Sequence, residues 1–227
     1  MIDGKLDGWV GAARVRIAGE RLLALPQKAD PADAVTSVSA AYDDKGLYLA
    51  VRVQDATPMA NACDPDKNPG EAWMDDCLQL RFNVAGADGT RMLWVDAWYS
   101  RSADKPALRI IDKGPNGGVS DGLQPDATGH SASLAFQQHA SGDGYTQELF
   151  LPWSRLQLDT VDLVASRELT MGLEIVGGKG VDSGGFHLRG LVADPQSNTD
   201  GYYKRPELWG TLILGASDRS DPTLPTD

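Results

Sequence analysis

Leu47-Tyr48-Leu49-Ala50-Val51-Arg52-Val53-Gln54 decides the fold. In an extended chain Leu47, Leu49, Val51 and Val53 share one face, with Arg52 and Gln54 on the other. A period of two marks a strand that is buried on one side and wetted on the other. Just upstream, Val35 to Tyr42 reads as its partner, and Asp43-Asp44-Lys45-Gly46 supplies the turn chemistry of a hairpin.

The same period recurs outward from this hairpin. Leu78, Leu80 and Phe82 alternate with Gln79 and Arg81. Further strands are predicted over Arg91 to Trp98, Leu108 to Asp112, Ala132 to Gln138, Tyr145 to Leu151, Thr170 to Val176, Phe186 to Leu191 and Trp209 to Leu214. Loops rich in Gly, Pro, Asp and Asn lie between them, such as Lys113 to Gly118 and Asp194 to Gly201. Helix is predicted only as one turn over Pro152-Trp153-Ser154-Arg155-Leu156. About ten short strands punctuated by turns predict an all-β antiparallel β-sandwich. It is expected to be one domain over residues 1–215, with 216–227, rich in Asp, Ser, Pro and Thr, as a flexible tail or linker.

The chain of 227 residues has 32 acidic against 21 basic side chains, a formal net charge of −11. That balance argues against nucleic acid or an anionic membrane as partner and leaves a neutral or cationic small ligand, or a protein. No apolar run is long enough to cross a membrane as a helix. Met1 to Trp9 shows neither the basic nor the apolar region of a secretory leader. A disulfide between Cys63 and Cys77 would add roughly 3 kcal/mol by restricting the unfolded chain. Two reduced thiols are the alternative, and spacing does not choose between them.

Catalytic patterns are sparse. His130, His139 and His187 stand in no zinc-binding spacing, and no GxSxG elbow is present. Gly177-Gly178-Lys179-Gly180 lacks the other residues of a phosphate loop. Asp75, Asp76 and Glu148 are the first candidates for a glycosidase carboxylate pair, although neighbours on a strand face opposite ways.

The aromatic residues carry more information. Trp9, Trp153 and Trp209 keep apolar company and are expected in the core, while Trp94 and Trp98 share one face of a strand as core or platform. Trp73 lies in the polar stretch Pro65-Asp66-Lys67-Asn68-Pro69-Gly70-Glu71-Ala72-Trp73-Met74-Asp75-Asp76. Tyr202 and Tyr203 follow the loop Asp194 to Gly201. Aromatic rings on polar loops suit the C–H face of a sugar ring, with amides, carboxylates and guanidiniums nearby for its hydroxyls. The alternative for Trp73 is a plug closing one end of the sandwich.

Five blocks in order carry a resemblance: Ile2-Asp3-Gly4-Lys5-Leu6-Asp7-Gly8-Trp9, Ala41 to Val51, Trp73-Met74-Asp75-Asp76-Cys77-Leu78-Gln79-Leu80, Gly144 to Trp153, and Leu208-Trp209-Gly210-Thr211-Leu212. Together they resemble family 9 carbohydrate-binding modules, of the DOMON-like β-sandwich superfamily. The resemblance implies a non-catalytic module that stacks a chain end or oligosaccharide between two aromatic rings. Trp73 with Asp76 matches the Trp-x-x-Asp motif, and Tyr203, or else Tyr202, matches the second ring. Gln79 stands where an acid is more usual, Asn198 takes the part of a family amide, and Arg81 or Arg91 that of an arginine. The resemblance also implies an oligosaccharide or polysaccharide as partner, attachment to a larger carbohydrate-active protein, and an extracellular or periplasmic location. No cofactor is expected beyond structural calcium, for which the acidic loops Asp64 to Asp76 and Asp194 to Asp200 offer oxygens. Two alternatives stand beside it. One is a haem-binding domain of the same superfamily, with Met59, Met74 or Met92 and His187 as ligands. The other is a ligand-free structural module.

Overall fold

A computed structural model of the chain describes residues 2–9, 13–17, 22–24, 35–86, 89–114, 117–158, 168–178, 186–190, 193 and 201–214. Among these residues thirteen strands run as β1 (Ala13–Ile17), β2 (Leu22–Ala24), β3 (Val35–Tyr42), β4 (Gly46–Gln54), β5 (Cys77–Gly86), β6 (Gly89–Ser100) and β7 (Lys105–Asp112), then β8 (Val119–Asp121), β9 (Ser133–Gln138), β10 (Gly144–Pro152), β11 (Glu168–Gly177), β12 (Phe186–Gly190) and β13 (Gly210–Ile213). Among the described residues helical structure is confined to short 3-10 turns, including the predicted one at Trp153–Leu156.

The strands form two sheets, antiparallel throughout. One has the order β1-β3-β4-β10-β9. The other runs β2-β12-β11-β5-β6-β7-β8, and β13 pairs with β11 beside β12. Period-two alternation turns one face of each sheet inward. Leu47, Leu49, Val51 and Val53 of β4 and Tyr145, Leu149 and Leu151 of β10 meet Leu78, Leu80 and Phe82 of β5, Leu93 and Val95 of β6, and Leu173 and Ile175 of β11 in one core. Each such large side chain contributes about 1.5–3 kcal/mol by leaving water. The antiparallel sandwich expected from the alternation is the observed fold.

The hairpin from which the alternation was read closes as expected. Asp43 Oδ1 accepts the amides of Lys45 (2.8 Å) and Gly46 (3.1 Å), an Asx turn that reinforces the backbone bond from the Asp43 amide to the Gly46 carbonyl (3.1 Å) at the tip. The buried Trp153 docks there, donating its indole N–H to the Asp43 carbonyl at 2.9 Å.

On the outside of the five-stranded sheet, Glu148 of β10 is buried and holds the N-terminal segment. It accepts the amides of Asp3 and Gly4, each at 2.7 Å, and the Trp9 indole N–H at 2.5 Å. Trp9 is buried, as are Trp153 and Trp209, so all three expected core tryptophans are in the interior.

Three strands were not anticipated. β2 and β8 have three residues each, too few to show a period, and β1 gains its place from pairing with β3. Residues 215–227 lie outside the described residues, so the expected tail has no structural account.

Candidate functional site

The outer face of the eight-stranded sheet is not apolar. Register brings Gln79 of β5 opposite Asp96 of β6 and Glu174 of β11; Asp96 faces Arg109 of β7, and Glu174 faces Arg189 of β12. Five strands thus lay a polar row, Arg189-Glu174-Gln79-Asp96-Arg109, across the middle of the face. Burying such groups requires that they satisfy one another. Arg109 Nη2 donates to Asp96 Oδ2 at 2.7 Å, and Arg81 Nη1 to Asp96 Oδ1 at 3.1 Å. Gln79 Nε2 donates to the same Oδ1 at 3.2 Å, while Arg189 Nε reaches Glu174 Oε1 at 3.4 Å.

Two loops cover the face on either side of this row. Toward the start of β5, Cys77, Trp98, Ala107 and Val176 pack with Cys63 and Ala72 in a small second apolar cluster. Ala72 belongs to the 3-10 turn Pro69–Met74, and the next residue, Trp73, is 48% exposed. Gly70 in the same turn stands over the polar row, since a Cβ there would lie 3.6 Å from Arg109 Nη1.

The second cover is the turn Tyr202–Lys204 with the closing Trp209. Tyr202 is fully buried. Its hydroxyl donates to the Gly190 carbonyl at 2.8 Å and accepts the Leu173 amide at 3.2 Å, and its own carbonyl accepts the Trp209 indole N–H at 2.6 Å. Tyr203, by contrast, is 40% exposed and meets Trp94 edge-on, with ring centroids 5.7 Å apart. Trp94 lies opposite Arg81, whose guanidinium carbon is 4.7 Å from the indole centroid. The Arg81–Trp94 pair is four residues along β5 from Cys77, about 13 Å, with the polar row midway.

The expected site residues fall into three groups: on the covers, in the floor, and elsewhere. Trp73 and Tyr203 are exposed rings on the two covers, and Gln79 and Arg81 belong to the floor between them. Tyr202 is corrected: its ring is sealed in the structure and braces Arg189, whose guanidinium carbon is 5.0 Å from it. Arg91 is also corrected, because its position on β6 has the parity of Leu93 and Val95. It binds Asp112 (3.3 Å) and Gln157 (2.8 Å) away from the polar row. Asn198 lies outside the described residues.

Asp76 offers no oxygen to a ligand. It is buried, its carboxylate accepts the amides of Ala60 (2.8 Å) and Gly178 (2.7 Å), and it hydrogen-bonds with the buried Asp55. Burial, and then the charge of Asp55, push the Asp76 carboxyl up, toward about 8. This explains the Gly-rich segment that superficially suggested a phosphate loop. A Cβ on Gly178 would lie 2.4 Å from Asp75 Oδ1, so only glycine lets β11 approach the base of the Trp73 loop.

The acidic stretch 64–76 spends its carboxylates on protein donors. Asp64 accepts Lys67 Nζ at 2.7 Å and Asp66 pairs with Lys105 at 3.0 Å. No three His, Cys, Asp or Glu side chains converge among the described residues, and Asp194 to Asp200 lies outside them. Cys63 and Cys77 are both free thiols in the second cluster, held protonated by burial. Of the haem ligands expected as an alternative, Met92 is placed far from His187 along the sheet. His187 pairs at the Val176–Cys77 level and Met92 pairs with Asn83, six residues or about 20 Å along β5.

Arg109, Asp96, Glu174 and Arg189 were not anticipated. Their signal was a single charged residue within each apolar alternation, such as Leu108-Arg109-Ile110, but only cross-strand register joins them into one row.

Comparison with known proteins agrees with the fold. The family profile described as "Carbohydrate family 9 binding domain-like" matches residues 2–217. Two solved structures of a carbohydrate binding module family 9 from Caldicellulosiruptor kristjanssonii share the fold. One, in complex with cellotriose, is 15% identical with a TM-score of 0.57, over 100% of this chain and 94% of that chain. The other, in complex with glucose, is 15% identical with a TM-score of 0.57, over 98% and 95%. No curated protein matches the chain.

Proposed function

This chain belongs to the carbohydrate family 9 binding domain-like family, and we propose that it is a non-catalytic module that grips a saccharide between Trp73 and Tyr203. The observation that carries the reading is the pair of exposed aromatic rings on separate covers, flanking a polar floor. The low-polarity face of a sugar ring stacks on each aromatic plane, and its hydroxyls reach Gln79 and Arg109 below. Asp96 and Glu174 are both engaged by arginine, so neither is a free carboxylate poised for acid or nucleophile duty. That pairing supports binding without cleavage. The module would serve a larger carbohydrate-active protein working outside the cytoplasm.

Few buried contacts at a shallow site give roughly micromolar to millimolar affinity. The test is titration with cello-, xylo- and other oligosaccharides, read by tryptophan fluorescence and calorimetry. Saturable binding by the native chain, weakened roughly tenfold or more in W73A and in Y203A at unchanged melting temperature, supports the reading. Full affinity in both variants, or release of reducing sugar by the native chain, refutes it.

A further inference from the structure

Resting on the reading of this face as a saccharide site, we propose that the saccharide it takes is anionic, a sugar bearing a carboxylate or sulfate received by Arg109, Lys113 and Lys204. Three cations beside the groove keep donors free of protein acceptors among the described residues. Arg109 spends Nη2 on Asp96, and its Nη1 has no acceptor among the described residues, lying under the Gly70 turn that leads to Trp73. Lys113 Nζ sits 4.2 Å from the Trp94 ring and Lys204 Nζ 5.5 Å from the Tyr203 ring. Two ammonium groups therefore bracket one aromatic pair, and both side chains are exposed without an ion pair among the described residues.

The described acids around the groove are engaged elsewhere. Asp96 is held by Arg81 and Arg109, Glu174 by Arg189, Asp112 by Arg91 and Glu207 by Arg205. Glu71, on the Trp73 turn, accepts from Asn68 Nδ2, and Asp121, across from Arg109 on β8, accepts the Leu123 amide. A neutral sugar could use Arg109 for a hydroxyl but would leave both lysines without a counter-charge. An anionic group makes Arg109 Nη1 a charge-assisted donor, and the two ammonium groups add their attraction from the Trp94–Tyr203 end. The net charge of −11 points the other way only as an average. Screening confines each charge to about 8 Å at physiological ionic strength, so the nearest side chains set the field that a ligand meets.

The test uses matched sugars on the whole chain: cello-oligosaccharides ending in glucose, in glucuronate or in glucose 6-sulfate. The acidic sugars are expected to bind roughly tenfold tighter than the neutral one, with the advantage shrinking as salt is raised. In the double variant K113Q/K204Q that preference should shrink to the roughly two- to threefold part that Arg109 alone supplies, with an unchanged melting temperature confirming the fold, and an undiminished preference would overturn the assignment of the lysines. The glucuronate and sulfate arms distinguish the two sources of the anion. Equal or tighter binding of the neutral sugar overturns this inference and leaves the saccharide site standing. Failure of all three sugars to bind overturns both.

Discussion

Asp96 receives Arg109 at 2.7 Å and, through its other oxygen, Arg81 at 3.1 Å, so one buried carboxylate fixes two guanidiniums on the face that carries the exposed aromatics. The two arginines come from different strands, β5 and β7, and β6 delivers the acid between them. The floor of the groove is therefore positioned by the sheet rather than by a loop.

Replacing Asp96 by Ala strands two buried or half-buried guanidiniums beside each other. Loss of one partner from such an arrangement costs about 3–5 kcal/mol. Urea unfolding of D96A should show that loss, and a midpoint equal to the native one would mean the network carries no stability.

The adjacent tyrosines should separate cleanly. Y202F loses a buried hydroxyl that serves Gly190 and Leu173, and stability should drop by about 1 kcal/mol. Y203A removes an exposed ring and should leave the melting temperature unchanged while weakening saccharide binding. Paired thermal melts and titrations decide it. The reverse pattern would make Tyr202 the binding ring and Tyr203 the structural one.

Asp76 makes stability depend on pH with a defined sign. Its folded-state ionisation is raised above the ordinary carboxylate range, toward about 8, by burial and then by the charge of Asp55. The contribution is complete below pH about 4, where the unfolded carboxyl also holds its proton. It is lost progressively as pH rises from there through about 8, where Asp76 must ionise in place. Asp112 and Asp126 act oppositely: their ionisation is lowered by hydrogen bonds, chiefly from Gln157 and Thr128, so their contribution is lost as pH falls through the ordinary range. Melting temperatures of the native chain and D76N between pH about 4 and about 9 isolate Asp76, whose decline with rising pH should be missing from D76N.

Glu148 reads from sequence as a possible catalytic acid, but the structure makes it a latch for the N-terminal segment. E148L leaves the Trp9 indole and two amides without their acceptor and should cost about 3 kcal/mol. Chemical denaturation measures the cost, and a neutral effect would show that water replaces the carboxylate.

The sandwich was legible because alternation at Leu47 to Gln54 and Leu78 to Phe82 leaves one arrangement that buries both apolar faces. Trp73 and Tyr203 were legible for a related reason, as large rings amid loop residues that give them no core to enter. Tyr202 was not separable from Tyr203, since a turn sends neighbouring rings in opposite directions and only the Gly190 and Leu173 bonds reveal which enters. Arg91 and Arg109 show the same limit from the other side. Both are single arginines in strands, and register alone sends one to the end of the sandwich and the other to the polar row.

The most direct test is a crystal structure of the chain with a bound oligosaccharide. The expected result is a sugar ring between Trp73 and Tyr203, with ring hydroxyls within hydrogen-bonding reach of Gln79 and Arg109. A sugar seated elsewhere, for example in the open cleft lined by Lys45, His130, Trp153 and Gln157, with Trp73 and Tyr203 bare, would contradict it.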